Sequence, residues 1–247
     1  MKKVILSAIS ILFFGSLLHA QAPKANTGDT KYDLTGRAAD HLMFQFGSDA
    51  WTNRPDSIKT AGFSRHFNMY FMYDKPFKKD KRYSLAFGAG ISSSNIFMDP
   101  HTYVDLKTTA NTLPFRHLDS LANHFAKQKI TTIYFDIPAE VRYYSDPAHP
   151  GKSWKLAAGV KLGTLLKAYT KAKNLERGID GSSIYGKTYI EKQENKRFFN
   201  GTDFTLTGRV GYGIVSFDMG YQVSQVLRDG FGPMMNKVSF GITISGL

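Results

Sequence analysis

Apolar side chains recur at every second position through most of the chain that follows residue 40. Between Tyr83 and Ser92 the odd-numbered positions are Tyr, Leu, Phe, Ala and Ile, and the even-numbered positions are Ser, Ala and Gly. A period of two is the period of a β-strand with one apolar face. The same alternation predicts eight strands, at 42–47, 66–74, 83–92, 133–143, 154–163, 203–212, 215–222 and 238–245.

The connections between these segments alternate in length. The long ones are 49–62, 98–129, 168–201 and 224–236, and the short ones are 75–82, 145–152 and 213–214. Short turns at one rim and long loops at the other are typical of a transmembrane β-barrel, in which the short turns face the periplasm. The predicted fold class is therefore all-β, an eight-stranded antiparallel up-and-down transmembrane barrel with long extracellular loops.

The alternation alone leaves open which face is inside, because a soluble lipocalin-like barrel would turn its apolar face inward. An eight-stranded barrel has an interior just wide enough for side chains to fill. The apolar face carries Phe, Leu, Ile, Tyr and Val, which would overfill that interior, whereas the other face is mostly Gly, Ala, Ser and Thr with a few charges. The apolar face is therefore predicted to contact lipid.

Two sets of residues follow from that orientation. Aromatic rings at the ends of the apolar band are expected where a barrel meets lipid headgroups. The predicted aromatic girdle consists of Tyr73, Tyr83, Tyr143, Trp154 and Tyr212. Charges on the small-residue face would lie in the lumen, where they persist only when paired. The predicted interior charge network consists of Asp136, Glu140, Arg142, Lys155, Lys161, Asp203, Arg209 and Asp218, four of each sign.

The N-terminus has the pattern of a secretory signal peptide. Two lysines precede an apolar run from Val4 to Leu18, and polar sequence follows Ala20. The run is short for a membrane span. We therefore expect a signal peptide at 1–20, a flexible N-terminal segment at 21–40 and the barrel domain at 41–247, in a protein exported to the outer membrane.

Three stretches also resemble a known family. The stretch 134–144 (YFDIPAEVRYY) is similar to a strand with an Ile-Pro motif in the small outer-membrane β-barrel proteins of Bacteroidetes that are grouped as PorT-like. The stretches 208–213 (GRVGYG) and 215–231 (VSFDMGYQVSQVLRDGF) resemble the closing strands of that family. The resemblance implies an outer-membrane location. Most members have no assigned activity, and the name-giving branch takes part in protein secretion.

Two groups of polar residues were weighed as catalytic sites. Ser64, His66 and Asn68 share one strand face, as in a lipid hydrolase set, but neighbours two residues apart on a strand are separated by about 7 Å. That is too far for a nucleophile–base hydrogen bond of roughly 2.6–3.2 Å. Asp136 and Glu140 are over about 13 Å apart on an extended strand, too far for a glycosidase pair. We interpret all five as lumen-lining residues and predict no catalytic site.

The second long loop contains three histidines, His101, His117 and His124. Apolar residues between 113 and 127 fall at helical spacing, which predicts a short loop helix over the barrel mouth. Metal sites prefer tighter histidine spacing with a carboxylate partner, so neither a metal nor any other cofactor is predicted. The absence of cysteine excludes disulfides and thiol chemistry.

Charge sets limits on the partners. The chain carries 32 Lys+Arg against 20 Asp+Glu, a net charge of +12, but these residues form no nucleic-acid motif. We expect a non-enzymatic outer-membrane barrel with a structural or interaction role. Its partners would be outer-membrane lipid and, through loops 98–129 and 168–201, lipopolysaccharide or a protein. The alternatives are a lipid-modifying enzyme, a small pore and a secretion-accessory barrel of the PorT type.

Overall fold

A computed structural model describes residues 41–246, so the predicted signal peptide at 1–20 and the segment at 21–40 lie outside the described residues. Eleven β-strands occur in the described range. They are β1 (Leu42–Thr52), β2 (Arg65–Pro76), β3 (Tyr83–Met98), β4 (Thr102–Val104), β5 (Phe115–His117), β6 (His124–Tyr144), β7 (Trp154–Glu176), β8 (Ile190–Glu194), β9 (Thr202–Tyr212), β10 (Val215–Gln222) and β11 (Asn236–Ser245). A single 3-10 turn at Pro150–Lys152 is the helical element of residues 41–246.

Eight of these strands close into a ring in which every neighbouring pair is antiparallel. The order around the ring is β1, β2, β3, β6, β7, β9, β10 and β11. It closes where β1 pairs with β11, from Met43 opposite Ser245 to Thr52 opposite Asn236. The prediction of an all-β, eight-stranded antiparallel up-and-down barrel is confirmed.

No helix in the described part of the chain has the length and apolar character needed to cross a bilayer.

The strands on one side of the ring are longer than the alternation predicts. β3 continues to Met98, β6 begins at His124 and β7 continues to Glu176. The predicted loop boundaries of 98–129 and 168–201 are therefore wrong, because strand pairing extends well into both segments. The connections that remain are 99–123, which contains the β4–β5 pair, and 177–201, which contains β8 paired to the end of β7.

A bulge in β7 explains why the pattern was lost there. Tyr134 of β6 is opposite Leu165, but Ile133 is opposite Lys167, so Leu166 is the extra residue. Since side chains alternate across a strand, one extra residue changes the parity of the positions beyond it. Even-numbered residues of β7 face outward before Leu166, and odd-numbered residues face outward after it.

The helix predicted between residues 113 and 127 is wrong. Phe115–His117 forms β5, which pairs with β4, and the chain from His124 onward belongs to β6. The apolar residues at helical spacing do not share a buried face, because Leu121 is exposed whereas Phe125 is buried. Pairing of residues 124 and 125 with the end of β7 outweighs the local spacing.

The apolar face of the barrel points outward. Phe71, Phe87, Ile137, Leu162 and Ile242 are among the exposed large apolar side chains of the ring. The inward positions between them are buried and mostly small or polar. The observed orientation is the membrane-barrel one and not that of a lipocalin-like carrier.

Candidate functional site

Glu140 of β6 is the centre of a buried charge cluster in the lumen. Its Oε2 accepts a hydrogen bond from Nη2 of Arg209 at 2.7 Å and another from Nε of Arg142 at 3.0 Å. Nη1 of Arg142 also lies 4.0 Å from Oδ1 of Asp74. Because β7 lies between β6 and β9, the Glu140–Arg209 pair joins strands that are not neighbours. Two cations on one carboxylate supply the bonds that a buried charge requires.

A second cluster surrounds Asp136, which is fully buried. Its Oδ2 lies 3.2 Å from Nζ of Lys161 and accepts a hydrogen bond from the Tyr70 hydroxyl at 2.9 Å. The three residues come from β6, β7 and β2. This cluster therefore also connects opposite sides of the ring.

Two further carboxylates in the lumen have less direct partners. Oδ2 of Asp203 lies 3.9 Å from Nζ of Lys237. Oδ2 of Asp218 accepts a hydrogen bond from the Thr243 hydroxyl at 2.8 Å. Lys155 points its Nζ toward the Tyr144 ring, 5.5 Å from the centroid. Each of these groups is buried.

All eight residues of the predicted interior charge network thus lie buried in the lumen. The structure joins Glu140 to both arginines and Asp136 to Lys161. Asp203 lies nearest to Lys237, which is outside the predicted set, and Asp218 accepts its hydrogen bond from Thr243.

The predicted charge network left out four further ionisable residues in the lumen, Asp49, His66, Asp74 and Lys237, although His66 was already interpreted as lumen-lining. With them, the buried Lys, Arg, Asp, Glu and His side chains of residues 41–246 are five cations, six carboxylates and one histidine. His66 and Asp74 had a signal, since both have inward parity in β2. Asp49 and Lys237 lie in the parts of β1 and β11 that the alternation did not include.

The residues weighed as a hydrolase set have separate partners. Nδ1 of His66 is 2.8 Å from Oδ1 of Asp49, and the Ser94 hydroxyl donates to the other oxygen of that carboxylate. Ser64 accepts from the backbone of residue 97, and the Asn68 amide donates to the side chain of residue 45. Because the Ser94 hydroxyl donates to the Asp49 carboxylate, it is not in position to give its proton to the His66 imidazole. The three residues do not assemble a nucleophile and base.

The loop histidines are brought together differently from the spacing considered. The rings of His101 and His124 stack with centroids 4.7 Å apart, whereas His117 lies in β5 opposite Thr102. No group of three or more potential ligands within residues 41–246 is arranged to hold a metal ion.

The five girdle residues lie on the outward face near the short turns. The rings of Tyr83 and Tyr143 are 5.2 Å apart, and those of Trp154 and Tyr212 are 5.7 Å apart. Tyr73 contacts Phe87, with centroids 5.3 Å apart. The positions form a band around part of one rim, where aromatic side chains of membrane barrels meet headgroups.

Comparison with known families agrees with the closed ring and its apolar outer face. The family model described as outer membrane protein beta-barrel domain matches residues 35–232. The chain belongs to this outer-membrane β-barrel family. Comparison with curated proteins gives no match. The outer-membrane location is confirmed, and in such barrels the long connections face the cell exterior.

The extracellular half of this outer-membrane barrel contains an apolar core that the sequence did not reveal. We call it the extracellular cap. Its buried members come from strand ends and from all four long connections: Trp51, Ile58, Ile96, Met98, Val104, Leu106, Leu113, Ile130, Tyr134, Leu165, Ala168, Phe198, Phe199, Val226, Leu227 and Met235. The cap lies over the mouth of the barrel, above the charged lumen.

Hydrogen bonds from side-chain amides hold the loops around the cap. The side chain of Gln128 donates to the Val104 carbonyl at 3.0 Å and accepts from its N–H at 3.2 Å. Gln193 accepts from the Leu106 N–H at 2.8 Å, and Asn195 donates to the Leu106 carbonyl at 2.9 Å. These hydrogen bonds satisfy both backbone groups of a buried residue, and they offset the free-energy cost of removing those groups from water.

The lumen offers little space beneath this cap. A cavity of about 30 Å³ lies among His66, Tyr70, Lys161, Arg209 and Asp218. That volume is enough for one or two water molecules. The arrangement can hold paired charges and a little water, and it provides no room for a solute.

Proposed function

We propose that this outer-membrane barrel is non-enzymatic and acts by presenting an ordered extracellular surface to a partner. The observation that carries the proposal is the extracellular cap. Phe198, Phe199 and Met235 are fully buried there although they belong to loops or strand edges outside the membrane band. Long loops are ordered only where burial outweighs their conformational entropy. The cap therefore maintains a defined loop surface.

The surface offers a specific contact region, which we call the tip. Leu121 is 72% exposed, Ile179 is 84% exposed and Tyr185 is 65% exposed. The backbone of Gly178 lies against the carbonyl of Leu121, so the connections that follow β5 and β7 meet there. Exposed apolar side chains on an otherwise packed loop surface are typical of interaction sites.

The charged lumen argues against the alternatives. A pore requires a continuous water path, whereas buried ion pairs and the cap occupy the axis. A lipid-modifying enzyme requires a nucleophile in contact with its base, and Ser64, His66 and Asn68 are held by separate partners. We therefore favour interaction over transport or catalysis.

The PorT-like assignment remains part of this proposal. Its Ile-Pro motif has a geometric role here, because proline lacks the N–H that a ladder uses. Pairing of β3 with β6 is interrupted between Phe87 opposite Ala139 and Gly90 opposite Asp136, around Pro138. The motif supports membership in a barrel subfamily, and the secretion role would need its own test.

A photo-crosslinking experiment tests the proposal. A photoreactive amino acid is placed at Leu121 or Ile179, and a matched control carries it at the exposed Lys78 in the short turn on the opposite rim. We expect a discrete adduct of one size from both tip positions and not from the control. Insertion is checked by heat modifiability on a gel. The absence of an adduct from well-inserted tip variants, or altered lipid chemistry on Ser64→Ala, would overturn the proposal.

A further inference from the structure

Lysines face one another across three neighbouring strands on the outer surface of the barrel. Lys129 of β6 is directly opposite Lys171 of β7, which is directly opposite Lys192 of β8. One row further from the membrane, Lys127 is opposite Lys173. We call these five residues the lysine face. The bulge at Leu166 creates it, because the parity change turns the odd-numbered lysines of β7 outward.

This register is unfavourable for the protein alone. Like charges directly opposite each other in an antiparallel pair are destabilising. Lys127, Lys171 and Lys173 make no ion pair or side-chain hydrogen bond within residues 41–246, and Lys129 donates to the neutral amide of Asn95 at 2.7 Å. The nearby carboxylate of Glu194 lies 3.8 Å from Lys192 and is shared with Lys167 at 3.4 Å. The face therefore has an excess of positive charge.

The height of the lysine face matches the polar region of the outer leaflet. Ten residues separate Tyr143 of the girdle from Ile133 on the outward face of β6. At about 3.3 Å per residue and a tilt of about 40°, this distance corresponds to a band about 25 Å tall. Lys129 and Lys127 lie four and six residues further, roughly 10 and 15 Å beyond the band on the same geometry. That is where headgroup sugars and phosphates are found.

An adjoining groove adds an apolar and aromatic wall. A cavity of about 310 Å³ is lined in part by Phe63, Phe97, Pro100, Arg65 and Lys127. The Arg65 guanidinium lies 5.5 Å from the centroid of the Phe97 ring, and Nζ of Lys129 lies 6.0 Å from it. Cations beside an aromatic wall at membrane height fit a phosphorylated sugar that carries acyl chains.

We propose that the lysine face binds the phosphate groups of an anionic glycolipid in the outer leaflet. Phosphates between Lys129 and Lys171 and between Lys127 and Lys173 would convert two repulsive pairs into bridged pairs. The surface lies on the outer wall beside the lipid and not at the tip. The inference therefore goes beyond the proposed protein partner and can hold or fail separately from it.

The test measures binding of rough lipopolysaccharide to the detergent-solubilised full chain by native mass spectrometry. The same lipid after phosphatase treatment is the matched ligand. The variant is K127Q/K129Q/K171Q/K173Q, and the control K78Q/K79Q removes exposed charge from the opposite rim. We expect at least tenfold weaker binding for the fourfold variant and for the dephosphorylated lipid, with the control unchanged.

Folding of each variant is verified by heat modifiability. If the fourfold variant fails to insert, K129Q/K171Q replaces it, and we expect a smaller loss of lipid binding from that variant. Equal binding by wild type and variants, or equal binding of both lipids, would overturn the proposal. Inorganic phosphate at millimolar concentration is the competitor. If phosphate binds to the wild type and the lipid does not, the face holds free phosphate and not a membrane glycolipid, and the proposal is wrong.

Discussion

Arg209 and Glu140 join two strands that are not neighbours in the barrel wall. Nη2 of Arg209 lies 2.7 Å from Oε2 of Glu140, and β7 separates their strands β9 and β6. Both side chains are buried. The backbone ladders hold each strand only to its neighbours, so this pair adds a connection through the lumen.

Reversing one charge of this pair should destabilise the barrel strongly. Arg209→Glu places a second carboxylate beside Glu140 and leaves Arg142 as the remaining cation of that cluster. Breaking a buried pair costs about 3–5 kcal/mol, and we expect a loss of that size in the free energy of unfolding. The measurement is urea unfolding in detergent micelles, followed by tryptophan fluorescence.

Two comparisons make that result specific. The variant Glu140→Gln/Arg209→Gln should lose less stability than Arg209→Glu, because it leaves no uncompensated carboxylate. Lys78→Glu in the exposed short turn should leave the unfolding midpoint unchanged. If Arg209→Glu also unfolds at the wild-type midpoint, Arg209 faces water and the lumen is not closed around it.

The extracellular cap predicts a different kind of defect. Phe199→Ala removes a fully buried ring from the cap, and such truncations cost about 3–5 kcal/mol. The lipid-facing band is untouched, so we expect an inserted barrel whose loops open more often. Trypsin added to intact cells should cleave within 177–201 faster than in wild type, while heat modifiability is retained.

A matched control for the cap lies at the tip. Ile179→Ala changes a side chain that is 84% exposed and should leave the cleavage rate near the wild-type value. Equal protection of Phe199→Ala and wild type would show that the ring does not hold the loops.

The lipid-facing strands could be predicted because the bilayer imposes an apolar residue at each outward position, which is every second residue of a strand. The same parity placed Glu140 and Arg209 in the lumen. Parity also indicated Asp74 on the inward face, but the charge comparison began only at residue 131. These features depend on local sequence alone.

The extracellular half could not be read in this way. From Lys167 to Lys173 the outward residues of β7 are lysines and a tyrosine, so the hydrophobic period disappears although pairing continues. In the cap, Leu106, Phe198 and Leu227 come from three distant segments. No local period identifies such residues as partners, because their burial is created by tertiary packing.

The signal peptide remains a prediction that a mass measurement can decide. Cleavage after Ala20 would leave a mature chain that begins at Gln21 and has lost the two N-terminal lysines. The barrel purified from outer membranes should give that N-terminal peptide after digestion. Recovery of a peptide that contains residues 1–20 from the inserted protein would contradict the prediction.

The closed lumen predicts that the reconstituted barrel does not conduct ions. Lys161 and Asp136 form an ion pair 3.2 Å apart in the lumen, and the cavity among the charged residues is about 30 Å³. Isolated waters in a cavity of that size do not form a continuous path for hydrated ions. Planar bilayers that contain the purified protein should therefore show no stepwise conductance.

The variant Phe198→Ala/Phe199→Ala, which loosens only the cap, should also show no conductance, because the ion pairs below it are retained. Stable conductance steps from the wild type would show that the lumen is open and that the pore interpretation is correct.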